Sequence, residues 1–123
     1  LWATRKIDHV YQSTDLNNII DRNYYAVRFG DIVPDHIEIT LIPEWPQSSP
    51  SLLLQIPDYC KRSKGIKYTL IDDTITIENN RFFRQFNFNI KKIDHTKMNY
   101  NLVLKISTNK QHPQTITIPL VVQ

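Results

Sequence analysis

From residue 23 onward, apolar residues recur at every second position, in run after run, with turn-forming residues between the runs. In residues 36–41, for example, Ile37, Ile39 and Leu41 alternate with polar neighbours. Successive side chains of a β-strand point to opposite faces, so this period of two gives each strand one apolar face. The runs are also rich in β-branched and aromatic residues, which fit pleated sheets well.

Eight runs of this kind predict eight strands at roughly the 8–12-residue spacing typical of β-sandwiches. They are residues 24–29, 36–41, 52–56, 66–71, 74–77, 82–90, 100–106 and 116–122. No long helical pattern separates them, which argues against a parallel α/β sheet. We therefore predict an all-β fold, an antiparallel β-sandwich, with a barrel as the alternative.

The alternation also predicts which side chains form the core. The predicted core consists of Val27, Phe29, Ile37, Ile39, Leu41, Leu53, Ile66, Tyr68, Leu70, Ile75, Ile77, Phe86, Phe88, Leu102, Leu104, Ile106, Ile116, Ile118 and Leu120. Phe82 shares the parity of Phe86 and Phe88, a parity broken only by Arg84, and is also expected to be buried. Phe83 has the opposite parity and is expected to be exposed.

Residues 1–22 have a different pattern. Ile7, Val10 and Tyr11 are spaced at i, i+3 and i+4, as on one face of a helix, and Leu16 begins a second set with this spacing. We predict an N-terminal arm over 1–22 that is helical or irregular, with an edge strand as the open alternative. Residues 23–123 then form the sandwich. The 123-residue chain fits one structural domain, and its start at Leu1 suggests a piece of a longer polypeptide.

Turn chemistry supports this division into strands. Asp72-Asp73 separates two strand patterns by two residues and predicts a hairpin, and Asn79-Asn80 predicts a second turn. Pro119 interrupts the last run. Because proline cannot donate a ladder hydrogen bond, it predicts an edge strand or a bulge.

The composition limits which cofactor and metal sites the chain can form. Two glycines, Gly30 and Gly65, cannot build a glycine-rich phosphate loop. The four histidines and Cys60 show no zinc-ligand spacing, and no calcium-loop pattern occurs. Lys61 and Arg62 beside Cys60 could lower its thiol pKa, but an isolated thiol is the favoured interpretation. We expect no metal, no cofactor and no enzyme activity.

Composition also indicates the cellular compartment of the protein. One cysteine permits no intramolecular disulfide, and no glycosylation sequon is present, which favours an intracellular protein, cytoplasmic or nuclear. The sequence contains no run of 18 apolar residues, so no membrane-spanning helix is predicted. The net charge of +3 is mild for a strong nucleic-acid binder.

The remaining candidates are residues suited to binding. Trp45 lies in a proline-bounded loop, either as a lid on the core or displayed to a partner. Tyr24 and Arg28 share the outer parity of the first sandwich strand, and Arg62 and Lys64 belong to a basic 61–67 loop. These residues predict a non-catalytic interaction domain of adaptor or scaffold type that binds another protein through loops or an outer sheet face. The alternative is nucleic-acid contact through the basic loop.

Overall fold

The computed structural model describes residues 2–7, 10–15, 22–30, 32–45, 52–61, 65–92, 98–108 and 114–122. These residues form ten strands and one four-residue helix. In chain order they are β1 (Trp2–Ile7), β2 (Val10–Asp15), β3 (Arg22–Arg28), β4 (His36–Pro43), β5 (Leu52–Gln55), α1 (Asp58–Lys61), β6 (Lys67–Ile71), β7 (Thr74–Glu78), β8 (Gln85–Lys92), β9 (Met98–Ser107) and β10 (Gln114–Val122). The eight predicted strands correspond to β3–β10.

The strands form two five-stranded antiparallel sheets. The first sheet has the order β1-β2-β3-β8-β5, and the second has the order β10-β9-β4-β7-β6. Among the described strands, no pairing joins the two ends of either sheet. The all-β sandwich prediction is therefore confirmed, and the barrel alternative is not.

One apolar cluster lies between the sheets. Ile37, Ile39 and Ile77 of the second sheet and Val27 and Phe88 of the first are all completely buried. Cross-strand pairing aligns aromatic rings inside this core: Tyr25 lies opposite Phe88, with ring centroids 5.4 Å apart and nearly parallel. Each buried aromatic or branched side chain contributes about 1.5–3 kcal/mol relative to exposure. The shared core therefore holds the two sheets together.

Most of the predicted core is confirmed, with corrections at its margins. Leu53 and Leu70 are 38% and 42% exposed, and Leu54 is buried in place of Leu53. The run 52–54 is apolar at every position, so its periodicity does not identify the inward face; pairing of Leu54 with the buried Ile90 does. Leu70 lies on β6 at the margin of its sheet, where fewer neighbours cover it.

Phe82 is the clearest correction to the predicted core. Its side chain is 81% exposed, and that of Phe83, expected to be exposed, is 52% exposed. Strand β8 begins only at Gln85, so the alternation that buries Phe86 and Phe88 does not reach Phe82. Parity predicts the facing of a side chain only where the backbone is extended.

The helical prediction for the N-terminal arm is wrong for its described part. Trp2–Ile7 and Val10–Asp15 are antiparallel strands, and β2 continues the sheet by pairing with β3. Ile7 and Val10 are cross-strand partners separated by two residues along the chain. The three-residue spacing that suggested a helix is thus the spacing across a strand connection. The second apolar set, from Leu16, lies outside the described residues.

The predicted turns and edge are confirmed. Ile71 pairs with Thr74 across Asp72-Asp73, and Asp72 adopts a φ of 47°, as the first position of a tight hairpin turn requires. Asn79 also has a positive φ, 62°. Strand β10 is an edge strand, and Pro119 lies on it, exposed to solvent.

The short helix α1 follows β5 and precedes β6, so it links an edge of the first sheet to an edge of the second. It begins after the buried Pro57, whose carbonyl oxygen accepts a hydrogen bond from the Cys60 amide at 3.0 Å. In the described part of the chain, no helix has the length and apolarity needed to cross a bilayer.

Candidate binding surface at one end of the sandwich

Two chain connections meet at one end of the sandwich. The β3–β4 connection leaves β3 at Arg28 and enters β4 at His36, and the β7–β8 loop, residues 79–84, runs from Glu78 to Gln85. Arg28 pairs with Gln85, and His36 pairs with Glu78. These pairings place both connections at the same end, where each passes from one sheet to the other.

A buried asparagine ties the two connections together. The Asn80 side chain is 2% exposed, and its Nδ2 donates hydrogen bonds to the carbonyl oxygens of Pro34, at 2.6 Å, and Phe83, at 2.9 Å. Its Oδ1 accepts a hydrogen bond from the Phe83 amide at 3.1 Å. Both donors and the acceptor of the amide are thus used, so its burial is not penalised.

Backbone contacts fix the same loop at two further points. The Asn80 amide donates to the Asp35 carbonyl oxygen at 3.4 Å, and the Phe29 amide donates to the Arg84 carbonyl oxygen at 2.8 Å. The preceding Asn79 adopts a positive φ, which asparagine tolerates better than most residues. The 79–84 loop is therefore anchored at both its beginning and its end.

This anchored loop displays apolar side chains instead of burying them. Phe82 and Phe83 are 81% and 52% exposed, and Ile32 of the β3–β4 connection is 43% exposed. Phe82 and Phe83 are consecutive residues, and neighbouring exposed apolar groups mark interaction sites more often than scattered ones do.

Arginine side chains flank the exposed rings. Arg81 and Arg84 bracket Phe82 and Phe83 in sequence and are exposed. Within the described part of the chain, neither guanidinium forms an ion pair. Arg28 is exposed on the outer face of β3, and its Nε donates to Gln85 Oε1 at 2.5 Å. The surface formed by Arg28, Ile32 and residues 81–84 is called the aromatic–arginine end below.

A polar cleft of about 950 Å³ adjoins this end. Its lining includes Asp35, His36, Glu78, Asn80 and Arg81. The His36 ring nitrogens lie 3.9 Å from the nearest oxygens of Glu38 and Glu78, beyond hydrogen-bonding distance. These side chains are partly exposed and solvated, so they hold one another only weakly.

No group of three or more histidine, cysteine or acidic side chains is placed to hold a metal ion within the described ranges. The described residues that line the cleft offer polar groups of both charge signs, and one of them, Arg81, precedes Phe82 in the chain.

Cys60 differs from the reactive thiol considered from the sequence. It is buried, and desolvation raises the pKa of its thiol, an effect that a side-chain hydrogen bond with Tyr68 partly opposes. Its Sγ lies 4.0 Å from the Asn87 carbonyl oxygen, to which the thiol donates. Cys60 is therefore buried on α1, and a raised thiol pKa makes a weaker nucleophile at neutral pH.

The structure brings together only some of the predicted binding residues. Arg28 lies at the aromatic–arginine end. Tyr24 is half-buried on the same outer face, four residues and so roughly 13 Å back along β3. Trp45 is 73% exposed, so it is not a lid on the core, and it follows Pro43, at the end of β4 opposite to His36. Arg62 and Lys64 lie outside the described residues.

Sequence reasoning missed Phe82 and Ile32 as surface residues. One signal was present: Arg84 occupies a position that the alternation assigns to the core. A charged residue at an inward position indicates that the strand has not yet begun. Arg84 thus indicates that residues 79–84 form a loop and that Phe82 and Phe83 are exposed on it.

Comparison of the chain with protein-family models, with curated proteins and with solved structures finds no match.

Proposed function

We propose that this chain is a non-catalytic protein-binding module, of adaptor or scaffold type, whose partner contacts the aromatic–arginine end. One observation carries the proposal. Two consecutive phenylalanine residues, Phe82 and Phe83, are exposed on a loop whose backbone is anchored by the buried Asn80 amide. A displayed ring costs free energy in water, and a partner that covers it recovers that cost.

The energetics favour this loop as an anchor. Burying an exposed phenylalanine is worth about 1.5–3 kcal/mol. The Asn80 hydrogen bonds hold the loop before any partner arrives, so less conformational entropy is lost on binding than for a mobile loop. Aromatic and arginine side chains are also enriched at protein interfaces.

The flanking charges indicate the partner's chemistry. Arg81 and Arg84 have no ion-pair partner among the described residues. A guanidinium binds a carboxylate through two parallel hydrogen bonds, so carboxylates beside an apolar recess fit this end best. The proposed partner surface is therefore acidic around an apolar recess.

The other candidate residues differ in whether they belong to the proposed surface. Arg28 belongs to the proposed surface, and Tyr24 extends it along the outer face of β3. Trp45, at the far end of the sandwich, is not part of it. We propose an intracellular setting, cytoplasmic or nuclear, supported by the free, buried thiol of Cys60.

The test compares two exposed aromatic sites. The wild-type chain, a Phe82→Ala/Phe83→Ala variant and a Trp45→Ala variant are used as baits in a native extract at about 0.1 M and about 0.5 M salt, concentrations that screen exposed charges to different degrees. Removing both rings should weaken partner binding by about 3 kcal/mol, roughly 100-fold. Trp45→Ala should leave binding unchanged, because it removes an equally exposed aromatic ring at the opposite end.

Other outcomes would redirect the proposal. Equal capture by all three baits would place the interface elsewhere. Loss of capture with Trp45→Ala alone would move it to the opposite end. Recovery of nucleic acid that is lost at the higher salt and with Arg62→Ala/Lys64→Ala would favour the basic 61–67 loop and a phosphate ligand.

A further inference from the structure

The outer face of the first sheet is a second surface, and it extends from the aromatic–arginine end along β3, β8 and β5. Tyr25 of β3 and Phe88 of β8 are buried, so the alternate positions of these strands face outward. On the three strands, the outward positions carry arginine, lysine, amide, tyrosine, alanine and leucine side chains and no carboxylate. The part of this surface called the outer amide face below is formed by Tyr24, Arg28, Gln55, Gln85, Asn87 and Lys91.

Exposed cations lie at the two ends of the outer amide face. Arg28 pairs with Gln85, the first residue of β8, and the stretch of β8 from Gln85 to Lys91 spans roughly 20 Å. Lys91 is exposed and forms no ion pair with another described residue. Two cations at this separation, with no carboxylate at the outward positions between them, fit a ligand that carries negative charge along its length.

A row of side-chain amides lies between the two cations. The Arg28 Nε group donates to Gln85 Oε1, and Gln85 Nε2 donates to Asn87 Oδ1 at 3.1 Å. These bonds orient both amides and leave the Asn87 Nδ2 group without a hydrogen-bond partner among the described residues. Gln55, on the neighbouring strand, is half-buried and also forms no hydrogen bond within the described part of the chain. Side-chain amides supply donors and acceptors that match the edges of nucleobases.

Tyr24 adds an aromatic side chain beside the amides. It is half-buried at an outward position of β3 and lies opposite Asn89, which in turn lies opposite Gln55. Nucleobases stack on aromatic side chains of sheet surfaces, and this contact tolerates any base because every base has a π-face. Bases reach a sheet in this way when they are unpaired, because a duplex keeps them stacked on one another.

We propose that the outer amide face binds single-stranded nucleic acid. Backbone phosphates contact Arg28 and Lys91, a base stacks on Tyr24, and the amides of Asn87 and Gln55 bind base edges. The charge of the face favours this ligand over a neutral glycan, which would match the amides but leave both cations unused. The inference goes beyond the proposed protein-binding function, and the two surfaces meet at Arg28 and Tyr24.

Fluorescence anisotropy with labelled single-stranded DNA and RNA of mixed sequence, about 12 nucleotides long, tests the proposal. The single strands should bind more tightly than the matched duplex. Two phosphate contacts predict a slope of about −1.4 for the logarithm of the affinity against that of the salt concentration, and Lys91→Gln should reduce it to about −0.7. Lys105→Gln is the matched control, because Lys105 is an exposed lysine on the outer face of the second sheet, and it should leave the slope unchanged.

Substitutions of Tyr24 separate base stacking from folding. Tyr24→Thr removes the ring but keeps a β-branched residue suited to a strand, and it should weaken single-strand binding about tenfold. Tyr24→Phe retains the ring and should bind within about twofold of the wild-type chain. Circular dichroism and thermal unfolding establish that both variants are folded. Equal affinities of the folded Thr and Phe variants would overturn the stacking role.

Other outcomes would overturn the proposal as a whole. One is the absence of single-strand binding at about 0.05 M salt, where phosphate contacts are strong. Equal losses in Lys91→Gln and Lys105→Gln would indicate attraction by the net charge alone. Binding that only Arg62→Ala/Lys64→Ala removes would assign nucleic-acid contact to the basic loop instead. The protein-binding proposal is tested separately, because its variants in the 79–84 loop change no residue of the outer amide face.

Discussion

At the scale of the residue, Asn80 has the most consequence for the proposed surface. Its amide makes three hydrogen bonds in a buried position and joins the loop that carries Phe82 to the β3–β4 connection. Asparagine suits this position because one small side chain provides two donors and an acceptor. No apolar residue of similar size could satisfy the Pro34 and Phe83 carbonyl oxygens.

Asn80→Asp should therefore destabilise the fold. It replaces the two N–H donors with a carboxylate oxygen that faces two carbonyl oxygens, and leaving buried polar groups unsatisfied costs about 1–3 kcal/mol. Urea denaturation, with the unfolding free energy obtained by linear extrapolation, measures the loss. Asn79→Gly is the matched control, because its positive φ suits glycine, and its stability should change by less than about 0.5 kcal/mol. Equal losses in the two variants would contradict the role assigned to Asn80.

At the scale of the element, the β6–β7 hairpin shows how local chemistry determines register. A two-residue loop fixes Ile71 opposite Thr74, and from there the pairing proceeds to Lys67 opposite Glu78. The Thr74 hydroxyl also forms a hydrogen bond of 3.0 Å with the Thr40 hydroxyl, and this bond connects the hairpin to β4. This register leaves Leu70 and Ile71 at the exposed end of the edge strand.

The two aspartates of this turn should respond in opposite directions to glycine. Asp72 has a φ of 47°, which glycine adopts without steric cost, so Asp72→Gly should raise stability or leave it unchanged, within about 1 kcal/mol. Asp73 has no positive φ, so Asp73→Gly should lower stability by about 0.5–1 kcal/mol through the added freedom of the unfolded chain. Thermal unfolding of both variants measures the difference. A lower melting temperature for Asp72→Gly than for Asp73→Gly would contradict the assigned turn geometry.

At the scale of the whole molecule, two sheets share one core and one end carries the proposed binding surface. Phe88 and Phe82 have the same parity in sequence, six residues apart, yet Phe88 is completely buried and Phe82 is 81% exposed. The difference arises because β8 lies between β3 and β5 in the first sheet, whereas residue 82 precedes the strand.

Alanine substitution at these two positions should separate stability from binding. Phe88→Ala should cost about 3–5 kcal/mol of unfolding free energy, because it removes contacts and leaves a cavity. Phe82→Ala should change stability by less than about 0.5 kcal/mol, as expected for a surface position. Chemical denaturation of both variants measures the two changes in unfolding free energy. A large loss for Phe82→Ala would mean that its ring packs against the domain, and its use as a binding probe would then fail.

Local sequence patterns were enough to predict eight of the ten described strands, the sandwich class, the Asp72-Asp73 hairpin and most of the core. These features follow from local periodicity and turn chemistry, which are encoded in neighbouring residues. Pro119 likewise predicted an edge, because the missing N–H is a property of the residue itself.

Which apolar residues are exposed depends on contacts between segments that are distant in the sequence. The run 52–54 is apolar at every position, so only the pairing of Leu54 with Ile90 shows which side chain faces inward. The spacing of Ile7 and Val10 fits one face of a helix and a connection between two strands equally well. Asn80 joins segments 46 residues apart in sequence, through its bond to Pro34, and so brings Ile32 and Phe82 to one end. Burial depends on what packs over a side chain, and pairing between distant strands determines that packing.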